Sequence, residues 1–246
     1  PATFELYYEL NDERVLFSDQ IQTDDNGEIL IGNLPLRTYY LVEVEAPTGY
    51  IIDESEQVIE ITDPYGTEQI THDVEFTNAK EKTDVSVTKE WNDEGNQDGL
   101  RPDTIEVQLL ADDEAAGEVV ILSENNEWTN TWTDLDEHQS NGEVINYTVE
   151  EVNIPDGYES AVNSDDENNI TITNTHVPEA TEVSVEKVWE DAENQDGVRP
   201  TELRIYLLAD GVEVATQVIT GEGNVWDYSF ANLPVFHAGE RIVYTV

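Results

Sequence analysis

The sequence repeats itself at an offset of 98 residues, so whatever it folds into must be a module small enough to recur within 246 residues. The first copy opens with Val85-Ser-Val-Thr-Lys-Glu-Trp91, continues through Asn96-Gln-Asp-Gly-Leu-Arg-Pro102 and reaches Leu109-Leu-Ala-Asp112. The second opens with Val183-Ser-Val-Glu-Lys-Val-Trp189, continues through Asn194-Gln-Asp-Gly-Val-Arg-Pro200 and reaches Leu207-Leu-Ala-Asp210. Trp128 then answers to Trp226, Trp132 to Phe230, Leu135 to Leu233, and Tyr147-Thr-Val to Tyr244-Thr-Val after a one-residue gap. Residues 1–79 are a more distant version. Their Tyr39-Tyr-Leu-Val-Glu43-Val-Glu-Ala-Pro47-Thr-Gly49-Tyr50 has the layout of Tyr147-Thr-Val-Glu-Glu151-Val-Asn-Ile-Pro155-Asp-Gly157-Tyr158. The polar stretches Ala79 to Thr83 and Val177 to Glu182 are too short to be floppy spacers and mark the boundaries. Three modules are expected: 1–79, lacking its first strand; 80–178, complete; and 179–246, stopping before its last strands.

Within each copy, short runs rich in Val, Ile, Thr, Tyr and Trp alternate with period two. Asp-Gly and Asn-Gly turns break them roughly every 8–12 residues, which is the pattern of a β-sandwich. No helical period is evident. The expectation is an all-β chain of tandem sandwiches, beads on a string, with antiparallel sheets whose outer faces carry Asp and Glu.

Composition then narrows function. Asp plus Glu number 56 against 10 Lys plus Arg, a formal net charge of −46 that repels phosphate backbones and anionic lipid, so neither nucleic acid nor membrane is an expected partner. With 0 Cys there is no disulfide, thiol nucleophile, zinc ribbon or iron–sulfur site. No apolar run approaches the ~18 residues of a membrane span, and Pro1-Ala-Thr3 opens no secretory leader, so the chain reads as an interior slice of a longer soluble protein. The acid is interleaved with apolar residues rather than blocked, which argues against disorder. It has two readings: a high-salt habitat, or like charge that keeps a fibre extended.

Parity along a strand assigns each side chain to core or solvent. Val85, Val87, Lys89 and Trp91 share a face, as do Val183, Val185, Lys187 and Trp189. Only four Lys occur in the chain, and two of them point inward at this one position. Tyr147, Val149 and Glu151 share an apolar face, and so do Tyr39, Leu41 and Glu43. In the closing strands, Ile170, Ile172 and Asn174 line up inward, as do Val74, Phe76 and Asn78. An unpaired buried ammonium or carboxylate is costly and tends to lose its charge. A neutral Lys89 amine that meets Asn174 can attack the side-chain amide carbon while Glu151 polarises the oxygen and moves the proton, leaving an isopeptide bond and ammonia. The alternative is a buried Lys–Glu ion pair with Asn174 simply hydrogen-bonded.

The combined set V-S-V-T-K-x-W, N-Q-D-G-x-R-P, L-L-A-D, Y-T-V-x-E and I-T-N-T-H resembles the collagen-adhesin B-type (CnaB) repeat of Gram-positive surface proteins and pilins. Residues 85–177 match from end to end, 183–246 match as far as they go, and 1–79 resemble the pilin-type variant. The resemblance implies an immunoglobulin-like (prealbumin-like) sandwich with a self-formed Lys–Asn bond and an acidic helper. Carried over, Lys89 and Asn174 are the cross-linked pair and Glu151 the helper. In the first module Glu43 and Asn78 take those roles, with the Lys expected upstream. In the third only Lys187 is present, with Glu and Asn expected downstream. The implied role is the stalk of a secreted, cell-wall-anchored adhesin or pilus-like fibre, with single-turnover self-cross-linking and no enzyme acting on an outside substrate. Implied partners are neighbouring repeats, other fibre subunits, or a host or matrix ligand. Two alternatives stand beside it: a ligand-binding module, and a fibre subunit completed by strand addition.

Weaker signals have plainer explanations. Glu94-x-Asn96-x-Asp98-Gly opens like a calcium loop, but Ile105 stands where the closing acid belongs and Ala192 replaces the first ligand in the second copy. A turn held by Asn, Asp and Gly, with Arg101 and Arg199 on nearby carboxylates, is the plainer explanation. His72, His138, His176 and His237 lack zinc spacing, so no cofactor is expected.

Overall fold

The computed structural model describes residues 1–62, 72–165 and 168–246. By backbone proximity the chain divides into two compact units. One comprises Pro1–Val85, Ala111–Glu114 and Thr131–Thr148; the other comprises Ser86–Leu110, Ala115–Asn130 and Val149–Val246. Both are built from strands, and the one helical element among the described residues is a single 3-10 turn at Glu124–Asn126. Among the described residues no helix is long and apolar enough to cross a membrane.

In the first unit, β1 (Thr3–Leu10), β2 (Glu13–Gln22), β3 (Thr38–Glu45) and β5 (Glu56–Glu60) form one antiparallel sheet in the order β2-β1-β3-β5. A short ladder joins β4 (Tyr50–Ile51) to β6 (Ala79–Lys80). β1 turns into β2 over Asn11 and Asp12, both at positive φ, the two-residue hairpin that suits twisted strands. Parity holds here: Phe4 and Leu6 of β1 and Tyr39 and Leu41 of β3 are buried together with Ala2 and Ile59. The expected closing strand at Val74–Asn78 does not form, since residues 72–78 join no ladder and Val74 is exposed. β5 reaches them through a side chain, Gln57 Nε2 donating to Glu75 O at 3.2 Å, and not through a backbone ladder. Phe76 still covers the core, edge-on to Phe4 at 4.9 Å.

The middle stretch contributes β7 (Lys82–Asn92), β8 (Thr104–Ala111), β9 (Glu114–Ala115), β10 (Val120–Ser123), β11 (Thr129–Asp136), β12 (Tyr147–Glu151), β13 (Glu159–Ser164) and β14 (Asn169–Thr175). β14 lies between β13, which it meets antiparallel, and β7, which it meets parallel. The parallel pair departs from the antiparallel expectation. β7 and β14 are joined through the intervening strands of the module rather than by a hairpin, and so long a crossover is what parallel neighbours require. The register sets Ile172 opposite Lys89 and Asn174 opposite Trp91. Val87, Ile105, Val107, Leu109, Val149, Ile170 and Ile172 are buried.

The last stretch supplies β15 (Ala180–Val188), β16 (Leu203–Ala209), β17 (Val212–Ile219), β18 (Val225–Pro234), β19 (Phe236–His237), β20 (Glu240–Arg241) and β21 (Tyr244–Thr245). β15 pairs with β18, and β16 lies between β17 and β21. Ile205, Leu207, Ile219, Trp226 and Phe230 form the core. The Leu-Leu-Ala-Asp motif gains a meaning in both copies. It ends a strand and begins its hairpin, with Asp112 and Asp113 at positive φ in one and Asp210 and Gly211 in the other.

Candidate cross-link site

Lys89, Glu151 and Asn174 come together as parity predicts. β7 turns Val85, Val87 and Lys89 inward while Thr88 and Glu90 face water. β12 turns Val149 and Glu151 inward, and its end is kept beside β8 by Val152 N–H donating to Glu106 O at 2.9 Å. β14 turns Ile170, Ile172 and Asn174 inward. Lys89 Nζ lies 3.8 Å from Glu151 Oε2, and the two side chains are 0% and 1% exposed. Asn174 Nδ2 donates to Glu151 Oε1 at 2.9 Å.

That geometry does not satisfy a buried ion pair. At 3.8 Å the lysine makes no hydrogen bond to the carboxylate, and neither Lys89 Nζ nor Asn174 Oδ1 has a hydrogen-bond partner among the described residues. A buried ammonium without donor partners is costly, and the lysine responds by weakening its hold on the proton. Burial brings its pKa from 10.5 down to about 8, against the opposing pull of Glu151 and Asp93. An amine poised to be neutral thus faces a carboxylate that grips the amide.

The surroundings are equally fixed. Lys89 Nζ stands 4.4 Å from the Trp91 ring centroid, and the Arg101 guanidinium stands 5.4 Å from that ring. Arg101 binds Asp93 through Nε at 3.0 Å and Nη2 at 2.5 Å, and Tyr158 Oη donates to Asp93 Oδ2 at 2.8 Å. Burial pushes the Asp93 carboxyl up, but Arg101, the Asn96 N–H and Tyr158 outweigh it and hold it at about 2. Burial, with the bond to Asp93, pushes the Tyr158 phenol up. The second copy rebuilds the brace: Lys187 Nζ lies 4.6 Å from the Trp189 ring centroid and Arg199 binds Asp191. Lys187 itself is half-buried, less enclosed than Lys89.

In the first unit Glu43 and Asn78 also meet, although Asn78 lies on no strand. Asn78 Nδ2 donates to Glu43 Oε2 at 2.6 Å, and the same oxygen accepts from Asp53 N–H at 2.7 Å. Glu43 is buried, and its Oε1 has no partner among the described residues. The calcium candidates are already engaged. Asn96 Oδ1 accepts from Arg101 N–H at 2.9 Å, Asp98 Oδ2 accepts from Glu179 N–H at 2.9 Å and meets His176 Nε2 at 2.9 Å, and Glu94 is exposed. The turn reading, with Arg101 on Asp93 and Arg199 on Asp191, describes this loop. Sequence reasoning did not find Ser160, whose Oγ donates to Glu151 Oε2 at 2.9 Å. Its signal was parity with the buried Tyr158 two residues earlier.

Residues 85–175 and 183–246 match the family model of the Cna protein B-type domain, and residues 1–80 match that of a prealbumin-like fold domain, SpaA. The chain belongs to the Cna B-type domain family. Over 165 residues, 67% of this chain, it is 47% identical to the collagen adhesin of Staphylococcus aureus, of which it spans 14%. The crystal structure of two B repeat units of the collagen-binding protein of Staphylococcus aureus covers 100% of this chain at 33% identity and a TM-score of 0.63, and this chain covers 62% of that one. The single B repeat unit of the same protein covers 67% of this chain at 32% identity and a TM-score of 0.35, with 84% of that unit covered. The fold is therefore a tandem array of immunoglobulin-like, prealbumin-like sandwiches. The relatives named here carry the Cna B-type domain as a repeat unit of a collagen-binding adhesin.

Proposed function

We propose that the chain is a stalk segment of a cell-wall-anchored adhesin or pilus-like fibre, and that Lys89 and Asn174 become joined by an isopeptide bond with Glu151 as the proton carrier. The observation that carries this reading is the pair of unsatisfied buried atoms, Lys89 Nζ and Asn174 Oδ1, set around one carboxylate. The chemistry balances without an outside reagent. The neutral Lys89 amine, its ammonium proton given up to solvent, attacks Cγ of Asn174 and passes an N–H proton to Glu151. The C–N bond to Nδ2 breaks as that nitrogen takes the proton back from Glu151 and leaves as ammonia, so Glu151 returns to its carboxylate. One carboxylate takes up and returns one proton, so the protein is consumed as its own substrate and turns over once.

The bond would tie β7 to β14, the first and last strands of residues 80–178. Tension arriving from the neighbouring modules would then meet a covalent bond before the strand ladders. By the same reading Glu43 and Asn78 form the helper and acceptor of a second site that awaits a lysine, and Lys187 is the nucleophile of a third. The three modules are taken as 1–79, 80–178 and 179–246, and neighbouring repeats and fibre subunits as the partners. The test is an intact mass of the 246-residue chain under denaturing conditions. The expected value is one ammonia below the mass of the sequence, returning to the full mass in Lys89→Ala and in Asn174→Ala. A wild-type chain at full mass would leave the three residues as a polar cluster and remove the cross-link from the proposal.

A further inference from the structure

We propose that Ser160 is a positioning residue for this cross-linking: its hydroxyl holds Glu151 so that one carboxylate oxygen stays on Asn174 while the other faces Lys89. The inference rests on the reading of Lys89, Glu151 and Asn174 as the reacting set. Ser160 stands on β13 directly opposite Asn174 on β14. Its Oγ donates at 2.9 Å to Glu151 Oε2, the oxygen that lies 3.8 Å from Lys89 Nζ. The other oxygen, Oε1, accepts from Asn174 Nδ2 at 2.9 Å. The terminal torsion of a glutamate is broad and soft, so one hydrogen bond leaves the carboxylate free to turn about that contact. Two bonds, one to each oxygen, fix its plane. The oxygen that must take the lysine proton is then the one already pointing at the lysine.

The first unit holds its glutamate differently, with both donors on Glu43 Oε2 and, among the described residues, none on Oε1. Aligned on the Gly-Tyr pair, Gly49-Tyr50-Ile51-Ile52 runs against Gly157-Tyr158-Glu159-Ser160, so Ile52, without a hydroxyl, stands in the place of Ser160. There the donor is the backbone N–H of Asp53, 2.7 Å from Glu43 Oε2. A hydroxyl in one module and a peptide N–H in the other serve equivalent buried glutamates. A second donor on the carboxylate is kept, but only in the middle module does it fall on the oxygen that the amide leaves open.

The test follows the rate at which ammonia is lost. The full chain is made by cell-free translation, chased at constant pH, quenched into denaturant at intervals and weighed, giving the fraction one ammonia light against time. Ser160→Ala is expected to slow the reaction about tenfold or more, the loss appropriate to one hydrogen bond to a charged group. Ser160→Thr, which keeps the hydroxyl on a residue suited to a strand, is expected to restore the rate to within a few-fold of wild type. A merely structural serine would not give that pattern of loss and rescue between chains with the same native circular dichroism. Should the alanine chain fail to fold, Ser160→Cys keeps the size and weakens the donor, and it is expected to react slowly. Wild-type rates in the alanine or cysteine chain would overturn the role of Ser160 while leaving the cross-link standing. A wild-type chain that never loses ammonia would overturn the underlying reading instead, and the two failures are separated by that one control.

Discussion

At the scale of the residue, the account turns on why a lysine with a pKa near 8 is tolerated in a core. Burial pulls Lys89 toward neutrality while Glu151 and Asp93 pull the other way, and the balance leaves it close to physiological pH. The reactive species is the neutral amine, whose fraction grows as pH rises toward that value. Cross-linking of freshly made chain is therefore expected to accelerate about tenfold per unit between pH 6 and 7 and to level off above about 8. Time-resolved intact mass at stepped pH checks this. A rate that fell with rising pH would show that the lysine is not the group being deprotonated. Asp93 illustrates the opposite case, a buried charge that is fully met by Arg101, Tyr158 and the Asn96 N–H. Its depressed pKa means that its stabilising contribution is present above the usual carboxylate range and fades as pH falls toward about 2. Asp93→Ala would strand the Arg101 guanidinium and the Tyr158 hydroxyl. The expected loss is about 3 kcal/mol or more in urea unfolding.

At the scale of the element, the pairing of β7 with β14 decides what a covalent bond can do. A bond from Lys89 to Asn174 closes nearly the whole module into one loop, and by the chain-entropy model of cross-links such a loop is worth about 4–5 kcal/mol. Lys89→Ala, which loses the cross-link, is therefore expected to lower the stability of this module by about that amount or more, read as a shift of its melting transition. An unchanged transition would argue that no bond forms. Much of this was legible in the residues. Strict alternation on β7, β12 and β14 put Lys89, Glu151 and Asn174 on apolar faces, because a one-residue slip would have buried Thr88, Glu150 and Thr173 instead. The parallel register of β7 and β14 was not legible, since pairing between strands so far apart in sequence is a tertiary fact. Nor was the failure of Val74–Asn78 to form a strand: alternation reports which face a strand would bury, and cannot report whether its backbone pairs with a neighbour's. Ser160 went unread for a different reason. A half-buried serine suits any strand, and only its contact with Glu151 distinguishes it.

At the scale of the whole molecule, the repeat and the charge belong together. A formal charge of −46 spread over the outer faces makes neighbouring surfaces repel, which disfavours aggregation and compact association. It also weakens each folded module by self-repulsion that salt relieves. Raising sodium chloride from about 10 mM, where the screening length is about 30 Å, to about 1 M, where it is about 3 Å, is expected to raise the melting temperature of the chain. A flat or falling response would mean that the acid is already balanced by local pairing. The chain spans 14% of the collagen adhesin it resembles, so its contribution to a larger protein is proposed here as length and mechanical resistance. That proposal stands or falls with one bond. The most direct measurement is tandem mass spectrometry of a protease digest of the purified chain. The account predicts a branched peptide in which the Lys89 side chain is joined to that of Asn174 with one ammonia lost. Recovery of the two segments only as separate linear peptides, with free Lys89 and intact Asn174, would contradict it.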